Sequence, residues 1–473
     1  MFRDVRGNPL STQNPASVAA GDEATALFGR FSARALEVVD AALAADPGFV
    51  MGHALKAGMI VTAQERPLEP LLREAVLAGE RLSATANARE RGHIAAARAW
   101  LDGDYEGAVQ RYARLAADHP RDLLAVEVAH LGDFMLGRQT GLRDHVAQVL
   151  HAWDPSVPGY AQVLGMYAFG LEETGDYARA EEAGRRAVEL DSRDGWASHA
   201  VAHVMEMQGR LGEGMTWIGE TSASWEADNA LAFHLWWHLA LFHLDAGDVE
   251  GALALYDARI RPGRSDVALE LIDAAALLWR LHLRGHDTGR RFELLAEDWA
   301  RRIDDAYYAF NDAHALVAFL GAGRAAEAGR LLDVVERHAA DAGTNGRMLR
   351  EVGLPLCRGL AAFARGDHAA CLDELLAIRE HAFRFGGSNA QRDLLSLTAL
   401  EAAIRGGLEP LARALASERT RLRPTNPHGW EATARVLEAT GDADGAAWAR
   451  GQAARLAERA RSPAGAPAAA QLA

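Results

Sequence analysis

Gly103-Asp104-Tyr105-Glu106-Gly107-Ala108-Val109 decides the reading of this 473-residue chain. Its elements recur as Gly175-Asp176-Tyr177-Ala178-Arg179-Ala180-Glu181 and as Gly247-Asp248-Val249-Glu250-Gly251-Ala252-Leu253. In each string the glycine suits the left-handed residue that ends one helix, and the aspartate suits the N-cap of the next. Tyr105 is expected to pack between the two helices, and the small Ala108 lets their backbones approach. Outward from this string, glycine-centred turns stand at Gly103, Gly137, Gly175, Gly209, Gly247, Gly285, Gly323, Gly366, Gly406 and Gly441. The gaps are 34, 38, 34, 38, 38, 38, 43, 40 and 35 residues, room for two helices and a turn each. Such units bury their apolar faces only against their neighbours.

Ten turns plus one degenerate pair before them predict about eleven helix-turn-helix units, an all-α solenoid of tetratricopeptide type. Residues 1–24 carry Gly7-Asn8-Pro9, Asn14-Pro15 and Gly21-Asp22 without helical periodicity and are read as an irregular leader. The first strong helix is placed over Thr25 to Ala45, stopped by Asp46-Pro47. A single helical-repeat domain over 25–460 follows, and the Pro- and Ala-rich tail over 461–473 is expected to be disordered. Eleven units wrap past a full superhelical turn, which curls the inner helices around a concave cavity.

Composition sets the class. With 49% hydrophobic and 24% charged residues the chain has the make-up of a soluble folded protein. Acidic residues outnumber basic ones 65 to 50, a net charge of −15. A surface of that sign repels phosphate backbones and anionic headgroups, so the expectation is no nucleic-acid and no membrane partner. Two cysteines, Cys357 and Cys371, make no disulfide framework in a chain this long. No stretch approaches 18 uncharged apolar residues, and Met1-Phe2-Arg3-Asp4 leads into no secretory apolar run. A cytoplasmic, reducing compartment is the expectation. No Walker loop, GxSxG, CxxC pair or dinucleotide fingerprint is present. Nothing in the sequence fixes the oligomeric state.

Several strings do not repeat. They are Ala45-Asp46-Pro47-Gly48-Phe49-Val50-Met51-Gly52-His53-Ala54, Val201-Ala202-His203 with Glu206-Met207, and Phe310-Asn311-Asp312-Ala313-His314. Val352-Gly353-Leu354-Pro355-Leu356-Cys357 and Gly386-Gly387-Ser388-Asn389-Ala390-Gln391-Arg392-Asp393 complete the set. In these the chain resembles the tetratricopeptide repeat protein 38 family, over nearly its whole length. The resemblance implies an all-helical fold and a set of positions, with no settled reaction. Tetratricopeptide arrays also carry a frame in which the first helix of each pair faces the concave side.

With each turn glycine counted as position 15, His199 falls at 5, His203 at 9 and Glu206 at 12. Spacings of four and three put the three side chains on one helical stripe, which the frame points inward. Two imidazoles four apart, with a carboxylate one turn on, can bind a divalent metal, the one cofactor the sequence suggests. In the next unit His234 and His238 are again four apart, with Trp236 and Trp237 between them. Neighbouring first helices lie side by side, so the two pairs can face each other across a pocket with Trp237 as a wall. The competing reading makes the tryptophans packing between units.

A third inner helix carries Asn311, Asp312 and His314, and a fourth begins at Ser388 with Asn389 and Arg392. Asp312 can serve as a general base or simply complement the helix dipole. Asn389 and Arg392 can bind an anion, or Ser388 caps a tight Gly-Gly turn while Arg392 and Asp393 form structural ion pairs. His53 is a weaker single candidate. Three functions follow. The first is a solenoid binding a small molecule or peptide end in a histidine-rich pocket lined by His53, His199, Glu206, His234, Trp237, Asn311, His314, Asn389 and Arg392. The second is an enzyme, metal-dependent or not, with His203, His238 and Asp312 catalytic and Arg392 as substrate anchor. A protein–protein scaffold is the third possibility, with the highest base rate for this architecture.

Overall fold

The computed structural model describes residues 2–461, and the tail expected to be disordered lies outside the described residues from 462 onward. The chain is an all-α tetratricopeptide-type solenoid. Its helices pair as α1 (Pro15–Phe28) with α2 (Arg34–Ala45), α3 (Val50–Ala63) with α4 (Glu69–Arg81), α5 (Ala88–Leu101) with α6 (Tyr105–Asp118), and α7 (Leu123–Met135) with α8 (Gln139–Val149). Next come α9 (Tyr160–Glu173) with α10 (Tyr177–Leu190), α11 (Gly195–Met207) with α12 (Leu211–Trp225), and α13 (Ala232–Asp245) with α14 (Val249–Leu255). Then follow α15 (Ala268–Leu283) with α16 (Arg291–Trp299) and α17 (Ala309–Gly321) with α18 (Ala325–His338). The short α19 (Thr344–Met348) precedes α20 (Leu354–Ala364), which pairs with α21 (His368–Ile378). The series closes with α22 (Asn389–Arg405) against α23 (Glu409–Leu422) and α24 (Pro427–Ala439) against α25 (Ala443–Arg461).

The turns are built as their sequence predicts. The first glycine is left-handed at Gly103, Gly137, Gly175, Gly209, Gly247, Gly285, Gly323, Gly366 and Gly441, and at the Gly406-Gly407 turn the second takes that role. Asp104, Asp248 and Asp367 cap the following helices by accepting from Gly107, Gly251 and Ala370 amides. Asp176 does not cap and pairs with Arg179 instead. Tyr105 is buried and stacks on Trp100 with ring centroids 4.2 Å apart.

The N-terminus differs from its expected irregular form. Strands β1 (Phe2–Arg3) and β2 (Pro9–Leu10) pair antiparallel, and α1 already begins at Pro15, inside the expected leader. Asn14 caps α1 through the Ala16 amide, and proline at the first helical position is pre-set for the helix. The helix expected over Thr25–Ala45 is broken around Phe31, whose φ is 56°. Among the described residues there are twelve pairs, against about eleven expected.

Successive superhelical turns touch. Thr344 N donates to Gly103 O, Tyr308 Oη to Met135 O, Asn389 N to Glu173 Oε1, and Thr425 Oγ1 to Gln208 O. Ala230 N donates to Phe31 O, and Ala268 N to Glu65 Oε1. Each contact joins units five to seven apart, so one superhelical turn takes about six units and the second turn lies directly on the first. Inner helix α22 packs against α11 and α15, with Trp279 Nε1 donating to Thr398 Oγ1 at 3.0 Å and Arg280 to Ala390 O at 2.7 Å. Around α11, α13 and α15 the concave side is therefore filled by the chain's own helices.

Candidate functional site

Helix α11 presents His199 and His203 and α13 presents His234 and His238 on facing stripes. The four rings form one cluster. Centroid separations are 4.3 Å for His199–His203, 4.8 Å for His199–His234, 4.5 Å for His203–His238 and 4.9 Å for His234–His238. All four are between 0 and 6% exposed. Each can offer one ring nitrogen to a common centre, with those atoms all within 4.8 Å of one another.

Carboxylates stand behind the rings. His234 Nδ1 is 2.6 Å from Asp273 Oδ2 on α15, and His238 Nδ1 is 2.7 Å from Glu206 Oε2 on α11. His203 Nδ1 lies 3.4 Å from Glu172 Oε2 on α9. With Nδ1–H donated to the carboxylate, the Nε2 lone pairs of His234 and His238 face the other rings. His199 Nε2 is 3.1 Å from His234 Nε2. The remaining polar atoms are unmatched. His199 Nδ1, both nitrogens of His203, His238 Nε2 and both oxygens of Glu172 are buried with no hydrogen-bond partner.

Burial is the leading cause of every shift in this cluster. Desolvation, reinforced by the neighbouring imidazoles, holds His199 and His238 well below the usual histidine range. His203 is lowered to about 4 against the pull of Glu206 and Glu173. Burial also raises Glu206 to about 7 and Glu172 to about 8, and moves Asp273 upward. The lowered imidazoles are neutral at pH 7, which is the form that binds metal.

The remaining sequence candidates are dispersed. Trp237 stacks on His234 at 5.3 Å, with the Arg280 guanidinium 5.4 Å from its ring, so it is a wall of the cluster packed on both sides. His53 is half-buried on α3, its Nε2 3.0 Å from Pro47 O. Asn311 donates to Gln64 O across superhelical turns. His314 turns its Nδ1 to Phe310 O on its own helix at 2.8 Å. Burial raises Asp312 to about 8, and the other charge it feels is Asp305. Among the described residues no hydrogen bond or ion pair joins Asp312 to His203 or His238, so the expected catalytic trio is not assembled. Glu206 is likewise corrected from ligand to hydrogen-bond partner of His238, because its carboxylate meets the far side of that ring.

The string at 386–393 builds a joint. Gly386 and Gly387 have φ of 93° and 77°, and a Cβ on Gly386 would strike Tyr308 Oη and Met135 O. Ser388 and Gln391 form a capping box. Arg392 donates to Gly387 O, to Asn389 Oδ1 and to Glu173 Oε2, and Asp393 takes Arg419 at 2.9 and 3.0 Å and Arg423 at 3.2 Å. The structural alternative for Arg392 and Asp393 therefore describes these contacts. Arg392 and Asn389 nonetheless also line a cleft of about 470 Å3, reaching from Tyr177 and Met207 to α21, α22 and α23. None of the four histidines lines it. A histidine-lined open pocket was expected, and the close superhelical pitch replaces it with a packed histidine cluster and a separate cleft between turns.

Sequence reasoning missed Glu172, Asp273 and Arg280. Glu172 stands three residues before Gly175, as Glu206 does before Gly209, so the repeat frame carried a signal for it. Asp273 and Arg280 sit one unit beyond the histidines, and only the packing of α15 brings them in.

No protein-family model matches the chain. Among solved structures it is similar to a human IFIT1 dimer with PPP-AAAA, at 11% identity and TM-score 0.41, over 94% of this chain and 96% of that one. Human IFIT1 with m7Gppp-AAAA is similar at 13% identity and TM-score 0.38 over the same shares. Yeast Tom70 follows at 10% identity and TM-score 0.21, over 79% of this chain and 94% of that one. The expectation of no nucleic-acid partner is corrected: human IFIT1 is solved with PPP-AAAA and with m7Gppp-AAAA, and a negative net charge does not exclude such a partner. Net charge sums the whole surface and says nothing of a local arginine cluster. Among the described residues no helix is long and apolar enough to cross a membrane.

Proposed function

We propose that this chain is a helical-repeat binding protein whose ligand occupies the cleft between superhelical turns, and that the ligand is a small molecule or peptide end with one anionic group on a mostly apolar body. The observation that carries this reading is the composition of the cleft. Leu375, Leu395, Leu400 and Leu415 line it, and its volume of about 470 Å3 suits a small ligand. Its charges are nearly but not fully matched. Arg392 is paired with Glu173 and Arg379 with Glu418, whereas Arg419 and Arg423 share the single carboxylate of Asp393. Arg423 has the longer share of Asp393 and also contacts Met207 Sδ at 3.5 Å, while the buried Glu172 and Glu206 carboxyls act on it only from beyond ion-pair distance. A carboxylate completes that arrangement by a charge-assisted hydrogen bond.

We also read the chain as a relative of the tetratricopeptide repeat protein 38 family. The 386–393 string supports this, since its two glycines, its capping box and both charged residues each have a position-specific contact. Titration calorimetry with decanoate, and with decanol as its neutral counterpart, tests the ligand class. Decanoate is expected to bind at least 10-fold more tightly than decanol, and Arg423→Ala should remove that preference. Equal binding of the two, or none, ends the reading. A short 5′-triphosphorylated RNA that binds while decanoate does not would replace it with a nucleic-acid function.

A further inference from the structure

We propose that His199, His203, His234 and His238 form a closed, four-nitrogen binding site for one divalent transition-metal ion. In this site Asp273, Glu206 and Glu172 orient the imidazoles from behind. The inference is independent of what fills the cleft. Its geometric basis is the convergence of four buried rings from two adjacent inner helices, with ligand nitrogens within 4.8 Å of one another. A tetrahedral ion with metal–nitrogen bonds near 2.0–2.1 Å needs nitrogens about 3.3 Å apart. His199 and His234 are already 3.1 Å apart, and the others reach that spacing by side-chain movements of roughly 1 Å.

Three further observations point the same way. Metal-bound histidines characteristically give their second ring nitrogen to a carboxylate, which fixes the tautomer and raises ligand basicity. His234 does so with Asp273 and His238 with Glu206, while His203 has Glu172 at 3.4 Å. The atoms left without partners are on the inner side as well as behind, including His238 Nε2 and His203 Nε2. A packed protein interior rarely leaves so many polar atoms unmatched in one place. Finally, Asp273, Glu206 and Glu172 form ion pairs only with the histidines, among the described residues. Arg280, Arg392 and Arg423 act on these carboxylates only from beyond ion-pair distance, and a doubly charged ion would hold all three ionised.

The donor set names the class of metal. Four imidazoles and no oxygen ligand select zinc, cobalt, nickel or copper over magnesium or calcium. Full coordination by protein marks a structural site without an open catalytic position. The ion would clasp four consecutive units, because its ligands sit on α11 and α13 and their carboxylates extend to α9 and α15.

The test uses the full chain, stripped with dipicolinate and titrated separately with Zn2+ and Co2+. One equivalent of each should bind, and the cobalt form should show the intense visible bands of a tetrahedral complex. H199Q/H203Q should bind no metal. Because that variant removes two buried rings, Asp273→Asn provides a milder check. It should keep native helical circular dichroism and lose about 10- to 100-fold in Zn2+ affinity. Folded wild-type protein that takes up less than a tenth of an equivalent overturns the proposal. So does a weak octahedral cobalt spectrum, or an H199Q/H203Q variant that binds as the wild type does.

Discussion

Two buried histidine–carboxylate clusters in this molecule use the same residue types with opposite charge balance. On α5 and at the start of α7, Asp122 is contacted by Arg89 Nη1 and His93 Nε2, both at 2.8 Å, and its other oxygen caps the Ala125 amide. Burial alone would raise Asp122, but His93 and Arg89 together hold it well below the usual carboxylate range. Between α11 and α13 four imidazoles meet three carboxylates that no arginine or lysine pairs with, among the described residues. In the Asp122 cluster the charge is met within the protein, although Arg89 Nε and His93 Nδ1 are themselves without hydrogen-bond partners. In the proposed metal site, an added cation would complete the quartet. The comparison separates a buried carboxylate bonded directly to an arginine from buried carboxylates whose only ion-pair partners are imidazoles.

Removing the carboxylate from the complete cluster should have the largest effect. Asp122→Ala strands Arg89 and His93 in the interior and should cost about 3–5 kcal/mol in urea unfolding, with metal content unchanged. A loss below 1 kcal/mol would erase the contrast between the clusters. Asp312 is a third case, a buried carboxyl with neither cation nor imidazole on it. Its folded-state pKa is raised from 3.8 to about 8, so the folded chain keeps a proton that the unfolded chain has lost. The stability this gives is complete below about pH 4 and is lost as pH rises toward 8. Asp312→Asn should therefore raise stability at pH 8 by up to about 5 kcal/mol and leave it unchanged at pH 4. Unfolding curves at the two pH values read this directly, and an equal effect at both rules out the titration. The smallest effect is metal removal. Stripping an ion held at 100 times its dissociation constant should cost about 2.7 kcal/mol. The resulting drop in Tm should be absent in H199Q/H203Q, and a drop of the same size in that variant would place the ion elsewhere.

Much of the architecture was legible because glycine is the residue that tolerates the left-handed turn, and those turns recur at the repeat interval. The histidine pairs were legible for a similar reason, since a spacing of four fixes a common face of one helix. What lay beyond the sequence was superhelical pitch. It depends on the volumes packed between units, not on their period, and it decides that α22 fills the interior and that Asp312 stands apart from His203. Asp273 reaches His234 only through that packing. The start of α1 is ambiguous in sequence, because Asn14-Pro15 suits a loop and equally a helix start, with an asparagine cap before proline at the first helical position.

The stapling of one superhelical turn onto the next changes how the protein should come apart. An extended repeat array melts like a zipper, because each unit answers only to its two neighbours. Here Gly103 holds Thr344, Met135 holds Tyr308 and Glu173 holds Asn389 across some 170–240 residues of chain. Fraying the C-terminal units would strip cover from units in the middle. The molecule is therefore expected to lose its structure in one concerted transition, closer to a globular domain than to a string of beads.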